Sequence, residues 1–228
     1  MIVIPSARLR CVLRYLIPFA LIPALVAAGA IIFDERRYLI ISLGIAVLAL
    51  MLFMTGFEKR VIGSRRMVLV AVMTAFAVFG RFIPLIKPIT AIVIIAGMYL
   101  GAEAGFFTGA MSVLISDIWF GQGPWTPFQM LGFGLIGLTA GYLNRPLSGN
   151  RVLLIAYGAV AGIAYSFIMD IWTVLWYSGG FDWNLYLAAI GSAVPFTITY
   201  AVSNVLFLLI LGRPMGQKLA RIKLKYGI

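Results

Sequence analysis

The chain has 228 residues, 63% of them hydrophobic, a formal net charge of +11 and a mean hydropathy of +1.05. So apolar a composition excludes an ordinary soluble domain, and apolar runs near 20 residues, long enough to cross roughly 30 Å of hydrocarbon, indicate a polytopic helical membrane protein rather than a β-barrel of short alternating segments. There is no His and a single Cys, Cys11, so imidazole catalysis, imidazole metal ligation, intrachain disulfides and CxxC sites are excluded, and no catalytic, metal or cofactor residues are expected.

Eight spans are expected, at about 12–33, 38–57, 67–83, 89–101, 104–119, 126–143, 152–177 and 185–211. The first follows Arg8, Arg10 and Arg14. Its Ala28-Gly29-Ala30 resembles a cleavage site, but Ile31-Ile32-Phe33 continues the apolar run, so an uncleaved helix is expected. Spans one and two form a transmembrane hairpin, residues 1–60. The rest, 61–228, forms a six-helix membrane core. The third span carries Ala71 and Ala75, one turn apart on one face, a flat stripe against which another helix can pack.

A proline-rich loop, Ile83-Pro84-Leu85-Ile86-Lys87-Pro88, follows. The fourth and fifth spans are short and meet at Gly101-Ala102-Glu103-Ala104-Gly105, which is tolerated where protein, not lipid, surrounds the backbone. The fifth carries Gly105 and Gly109 and ends near Asp117. After the aromatic loop 119–129, the sixth carries Gly132, Gly134, Gly137 and Gly141. Small residues at such spacing permit close helix approach. The tail from Arg213 is expected as a short basic segment at the membrane surface, solvated or touching anionic lipid.

With both termini in the cytoplasm, 14 of the 18 Lys and Arg fall inside; Arg36, Arg37, Arg81 and Lys87 fall outside. This satisfies the positive-inside rule, and the opposite orientation violates it. The same segmentation explains the +11 charge without nucleic acid as a partner. No GxxxxGK[ST] and no GxSxG occurs, so the chain neither cradles ATP nor carries a nucleophile elbow.

All five tryptophans fall toward the outer side, with Phe120, Phe128, Tyr177, Phe181 and Tyr186. An interfacial belt decorates both membrane surfaces, so the one-sided placement favours a binding face. The expected ligand-contacting residues are Arg81, Lys87, Asp117, Trp119, Gln122, Trp125, Phe128, Gln129, Asp170, Trp176, Trp183 and Asn184. Asp117 and Asp170 have two readings: functional carboxylates within spans, or helix caps and partners of Arg81 or Lys87. Such a site suits a large, weakly charged, partly planar ligand. A standalone secondary transporter or channel is the alternative, although no inverted repeat is visible and mid-span charges are nearly absent.

These features together resemble the substrate-binding S components of energy-coupling factor (ECF) transporters over about residues 60–228. The resemblance rests on Arg65-Arg66, Ala71 with Ala75, the 83–88 loop, the Gly105–Asp117 helix and six core spans. Gly123-Pro124-Trp125-Thr126-Pro127-Phe128-Gln129-Met130 looks most like the cobalamin-type branch. The resemblance implies a multi-pass protein of a bacterial or archaeal cell membrane that captures a vitamin, cobalamin or a related corrinoid, at the outer face. It implies a membrane scaffold subunit docking at Ala71 and Ala75, and two cytoplasmic ATPase subunits. The N-terminal hairpin departs from the six-helix pattern and raises the question of whether it covers the docking stripe.

Overall fold

The computed structural model describes residues 6–31, 38–56 and 60–226, and among them every regular element is helical. The all-α membrane bundle is as expected. Arg36, Arg37, Lys59 and the end of the first expected span lie outside the described residues. The order is α1 (Ala7–Leu16), a π-helical turn (Ile17–Leu21), α2 (Ile22–Ile31), α3 (Tyr38–Thr55), α4 (Arg60–Arg81) and α5 (Ile89–Leu100). Then come α6 (Ala102–Phe120), α7 (Thr126–Tyr142), α8 (Asn144–Gly149), α9 (Arg151–Ser178) and α10 (Trp183–Tyr226). Pro18 has no N–H to donate, and the wider turn around it lets α1 and α2 continue as one apolar segment, Arg8–Ala30.

Arg8–Ala30, α3, α9 and α10 are each long and apolar enough to cross a membrane. The short α5 works differently. Its 12 residues reach about 18 Å, less than the hydrocarbon thickness. Every one of them except Tyr99 is buried, so its ends meet protein rather than lipid. Glycines make this burial possible. A Cβ at Gly97 or at Gly105 would collide with the Gly137 carbonyl, and one at Gly109 with the Phe133 carbonyl. The α5, α6 and α7 backbones therefore lie in direct contact. A lone Gly101 at φ 104° turns α5 into α6, a conformation that a side chain would strain.

The α9–α10 pair closes the other side of the bundle. Gly162 lies against the α10 backbone at Ala201, and the Asn204 amide donates to the Gly158 carbonyl at 3.0 Å. At 44 residues, α10 runs about 66 Å, far past the expected end near 211. The basic tail is thus helical to Tyr226: Gly216 sits under the Tyr99 ring and Leu219 is buried, so packing prolongs the helix where hydropathy fades. The short α8 is a second unexpected element.

The N-terminal hairpin packs α3 on α6. Ile45, Ala49 and Leu52 are fully buried, and Phe53 stacks on Phe107 at 5.1 Å between ring centroids. Ala71 and Ala75 remain exposed on α4, so the hairpin leaves the alanine stripe open. One end of the bundle holds a charge cluster. The Glu103 carboxylate meets Arg14 Nε at 2.8 Å and Arg66 Nη2 at 3.7 Å, while Arg66 donates to the Leu100 and Gly56 carbonyls. Arg65 donates to the Tyr226 carbonyl at 3.0 Å, which brings the end of α10 to the same side. We call this the basic end. The end at Arg81 is the aromatic end.

Gly137→Ala should destabilise the bundle by about 1–3 kcal/mol, the usual cost of overpacking, because its Cβ would press on the Gly105 backbone. Gly191→Ala meets open space and should be neutral or slightly stabilising, since alanine favours helix. Thermal unfolding of both variants in one detergent compares them; equal melting temperatures would contradict the glycine-contact account.

Candidate functional site

At the aromatic end α4 stops at Arg81, α6 at Phe120, and α7 starts at Thr126. Arg81 is the hub. Its Nη1 donates to Asp117 Oδ1 at 2.7 Å and to Ser116 Oγ at 2.6 Å, and its Nη2 to Gln129 Oε1 at 3.1 Å. Asp117 is 1% exposed, and its second oxygen accepts from Thr126 Oγ1 at 2.8 Å. Both Asp117 oxygens are thus engaged within the protein. Of the two readings of Asp117, the geometry gives the partner of Arg81: it fixes the guanidinium and ties α4, α6 and α7 together.

Phe120 lies beside this hub, with Arg81 5.5 Å and the Lys87 amine 5.7 Å from its ring centre. Lys87 sits in the 82–88 loop, whose position is set by a hydrogen bond from Ser203 Oγ to the Lys87 carbonyl at 3.0 Å. Burial, then the Arg81 charge, push the Lys87 amine below the ordinary lysine value, and Asp117 partly offsets them. In the same loop Leu85 stands exposed at φ 64°, a left-handed conformation that is costly for a leucine.

The tryptophans separate into three groups. Trp125 meets Trp172 edge-on at 5.9 Å, and Trp172 stacks on Trp176 at 6.3 Å. The Trp125 ring lies flat over Gly123, where a Cβ would strike it. Trp119, 78% exposed, packs instead on Phe82. Trp183 packs with Phe181 and Tyr186 at the start of α10, where Asn184 is also exposed. Phe128 is buried in the α7 core face. The structure therefore brings together Arg81, Lys87, Asp117 and Gln129 around one hub, and Trp125 with Trp176 in one ladder. It does not bring Trp119, Trp183 or Asn184 into either.

Asp170 stands apart as well. Gly158, Gly162, Ser166 and Asp170 follow at four-residue intervals on the α9 face that meets α10, where Ser166 hydrogen-bonds Thr197 at 2.6 Å. Trp172 and Trp176 occupy the other side of α9, toward Trp125. Among the described residues, three buried polar atoms near this end have no protein partner: Gln122 Oε1, Trp172 Nε1 and Asp170 Oδ2. Buried polar atoms are normally paired, so each of these is an open hydrogen-bonding position. Gln122 is held by its own Nε2, which donates to the Leu114 carbonyl at 2.8 Å. Trp172, Ser116 and Thr126 were not among the expected contacts. Trp172 could have been found from the Trp172-Trp176 spacing of one helical turn, whereas Thr126 meets Asp117 only across the loop. No group of three or more metal-ligating side chains occurs among the described residues.

Removing one partner of a buried ion pair leaves the other charge uncompensated, at about 3–5 kcal/mol. Arg81→Ala and Asp117→Ala should each destabilise the protein by about that much, and the double variant by far less than their sum. Denaturant unfolding of the three variants in micelles gives the coupling; simple additivity would show that the hub is not cooperative.

A protein-family model described as the S component of an ECF-type riboflavin transporter matches residues 61–221. The match gives no support to the cobalamin branch that the Gly123–Met130 stretch resembles. No curated protein and no solved structure matches. With well over half of its length matched, this multi-pass membrane chain belongs to the ECF-type riboflavin transporter S-component family, a family of transport subunits rather than of enzymes.

Proposed function

We propose that the chain captures a flavin-type vitamin at the aromatic end and delivers it inward as the substrate-binding subunit of an ECF importer. The observation that carries this reading is the Trp125–Trp172–Trp176 ladder beside two unpartnered polar atoms of opposite kind, Gln122 Oε1 and Trp172 Nε1. A flavin ring presents two aromatic faces and, along one edge, an N–H donor between carbonyl acceptors. Gln122 Oε1 suits the N–H, Trp172 Nε1 suits a carbonyl, and the indoles suit the faces. Arg81, Lys87 and Gln129 supply the polar wall, held rigid by Asp117. The riboflavin in the family's description supports the same ligand class.

The positive-inside rule places the basic end in the cytoplasm and the aromatic end outside. The exposed Ala71 and Ala75 present a small-residue stripe to a scaffold helix, since membrane helices associate through close packing. Energy comes from two partner ATPases, because the chain has no phosphate-cradling loop of its own. The boundary near residue 60 separates the binding core from a hairpin that buttresses it.

Titration of the purified chain with riboflavin should quench the flavin fluorescence, and Trp172→Ala should weaken binding about two- to tenfold, the worth of one aromatic contact. Cobalamin binding without flavin binding would overturn the ligand class. Ala71→Trp with Ala75→Trp should abolish assembly with the scaffold subunit while flavin affinity stays near wild type. Concentrative uptake by the chain alone in liposomes under an ion gradient would replace the importer reading with a secondary transporter.

A further inference from the structure

α4 and α10 each pack on α5 but scarcely touch one another. A groove of about 530 Å³ runs between them, lined by Leu69, Phe76, Ile92, Met215 and Leu219 among others, and Lys218 is its one charged lining residue. From Leu69 to Gly80 the groove follows α4 for about 17 Å, and it continues to Ile83 and Pro88 at the aromatic end. It is long enough to seat an acyl chain, which fills half of a hydrocarbon core roughly 30 Å thick. Toward the basic end the charge becomes one-sided. Leu69 and Ile222 are shared with a smaller hollow that Arg65 lines, and Arg66 and Lys223 line a further hollow of about 270 Å³ with Asn144 and Tyr99.

The carboxylate described at this end, Glu103, is already held by Arg14 and Arg66. Lys223 makes no hydrogen bond or ion pair among the described residues. The arrangement is an apolar channel that ends, on the basic side, beside Lys218 and Arg65, which make no ion pair among the described residues.

We infer that this groove binds an anionic phospholipid, its acyl chain along α4 and its phosphate at the basic end beside Lys218 and Arg65. An acyl chain meets an apolar lining, and a headgroup with net negative charge meets the cations. A zwitterionic headgroup carries its own ammonium into the same basic cluster and gains less.

The test uses the full chain in detergent micelles, with thermal stability and native mass spectrometry as readouts. Phosphatidylglycerol should bind and raise the melting temperature; phosphatidylcholine of the same chains should bind about tenfold more weakly or less well still. Inorganic phosphate should not stabilise. Lys218→Gln with Arg65→Gln should erase the preference for phosphatidylglycerol. Val72→Trp, at an exposed groove position, should reduce binding of both lipids. Equal binding of the two lipids by the wild type, a preference that survives the Lys218 and Arg65 changes, or stabilisation by phosphate alone would each overturn the proposal. Unchanged lipid binding in Val72→Trp would remove the groove from it.

Discussion

The contact of the Gly137 carbonyl with Gly97 and Gly105 is the constraint on which the rest depends. Lipid tails are as apolar as leucine, so no hydrophobic force drives helices together within a bilayer, and association rests on close packing. Three backbones touching through glycine give the densest packing available. That contact allows a helix as short as α5 to exist at all, since it buries every residue of α5 except Tyr99. It also fixes the rotation of α6 and α7, and so determines where Glu103, Asp117 and Thr126 point.

Two carboxylate–arginine pairs then fasten α4 to α6. Arg66 and Arg81 are 15 residues apart on α4, about 22 Å, and Glu103 and Asp117 are 14 apart on α6, about 21 Å. The helices run parallel with matched spacing, so each arginine finds a carboxylate at the same height. Both pairs lie near the ends of the bundle and leave the middle uncharged. At the basic end Arg14 joins the pair and connects the N-terminal hairpin to the core.

The polar groups at the aromatic end divide into engaged and open ones. Asp117 spends both oxygens on Arg81 and Thr126. The polar atoms left over, on Gln122 and Trp172, sit beside stacked indoles. A carboxylate inside a membrane span invites a functional reading, yet here Asp117 serves as a strut for its neighbours. Asp170, with no such partner, lies between α9 and α10, away from the ladder.

The sequence by itself determined the helical membrane class, the order of the apolar segments, the glycine-spaced helices, the one-sided aromatics and the family resemblance. Each of these is a property of one segment, set by hydropathy and by 3.6-residue periodicity. Which side chains meet across helices was decided only by tertiary structure. That Asp117 takes Arg81 and Glu103 takes Arg66, that Trp119 leaves the ladder and Trp172 joins it, and that Asp170 faces α10 all depend on helix rotation. Rotation is set by glycine contacts between different helices, and no local pattern encodes it. The helical tail shows the same limit: hydropathy ends near residue 211, but α10 continues because Gly216 and Leu219 find partners across the bundle.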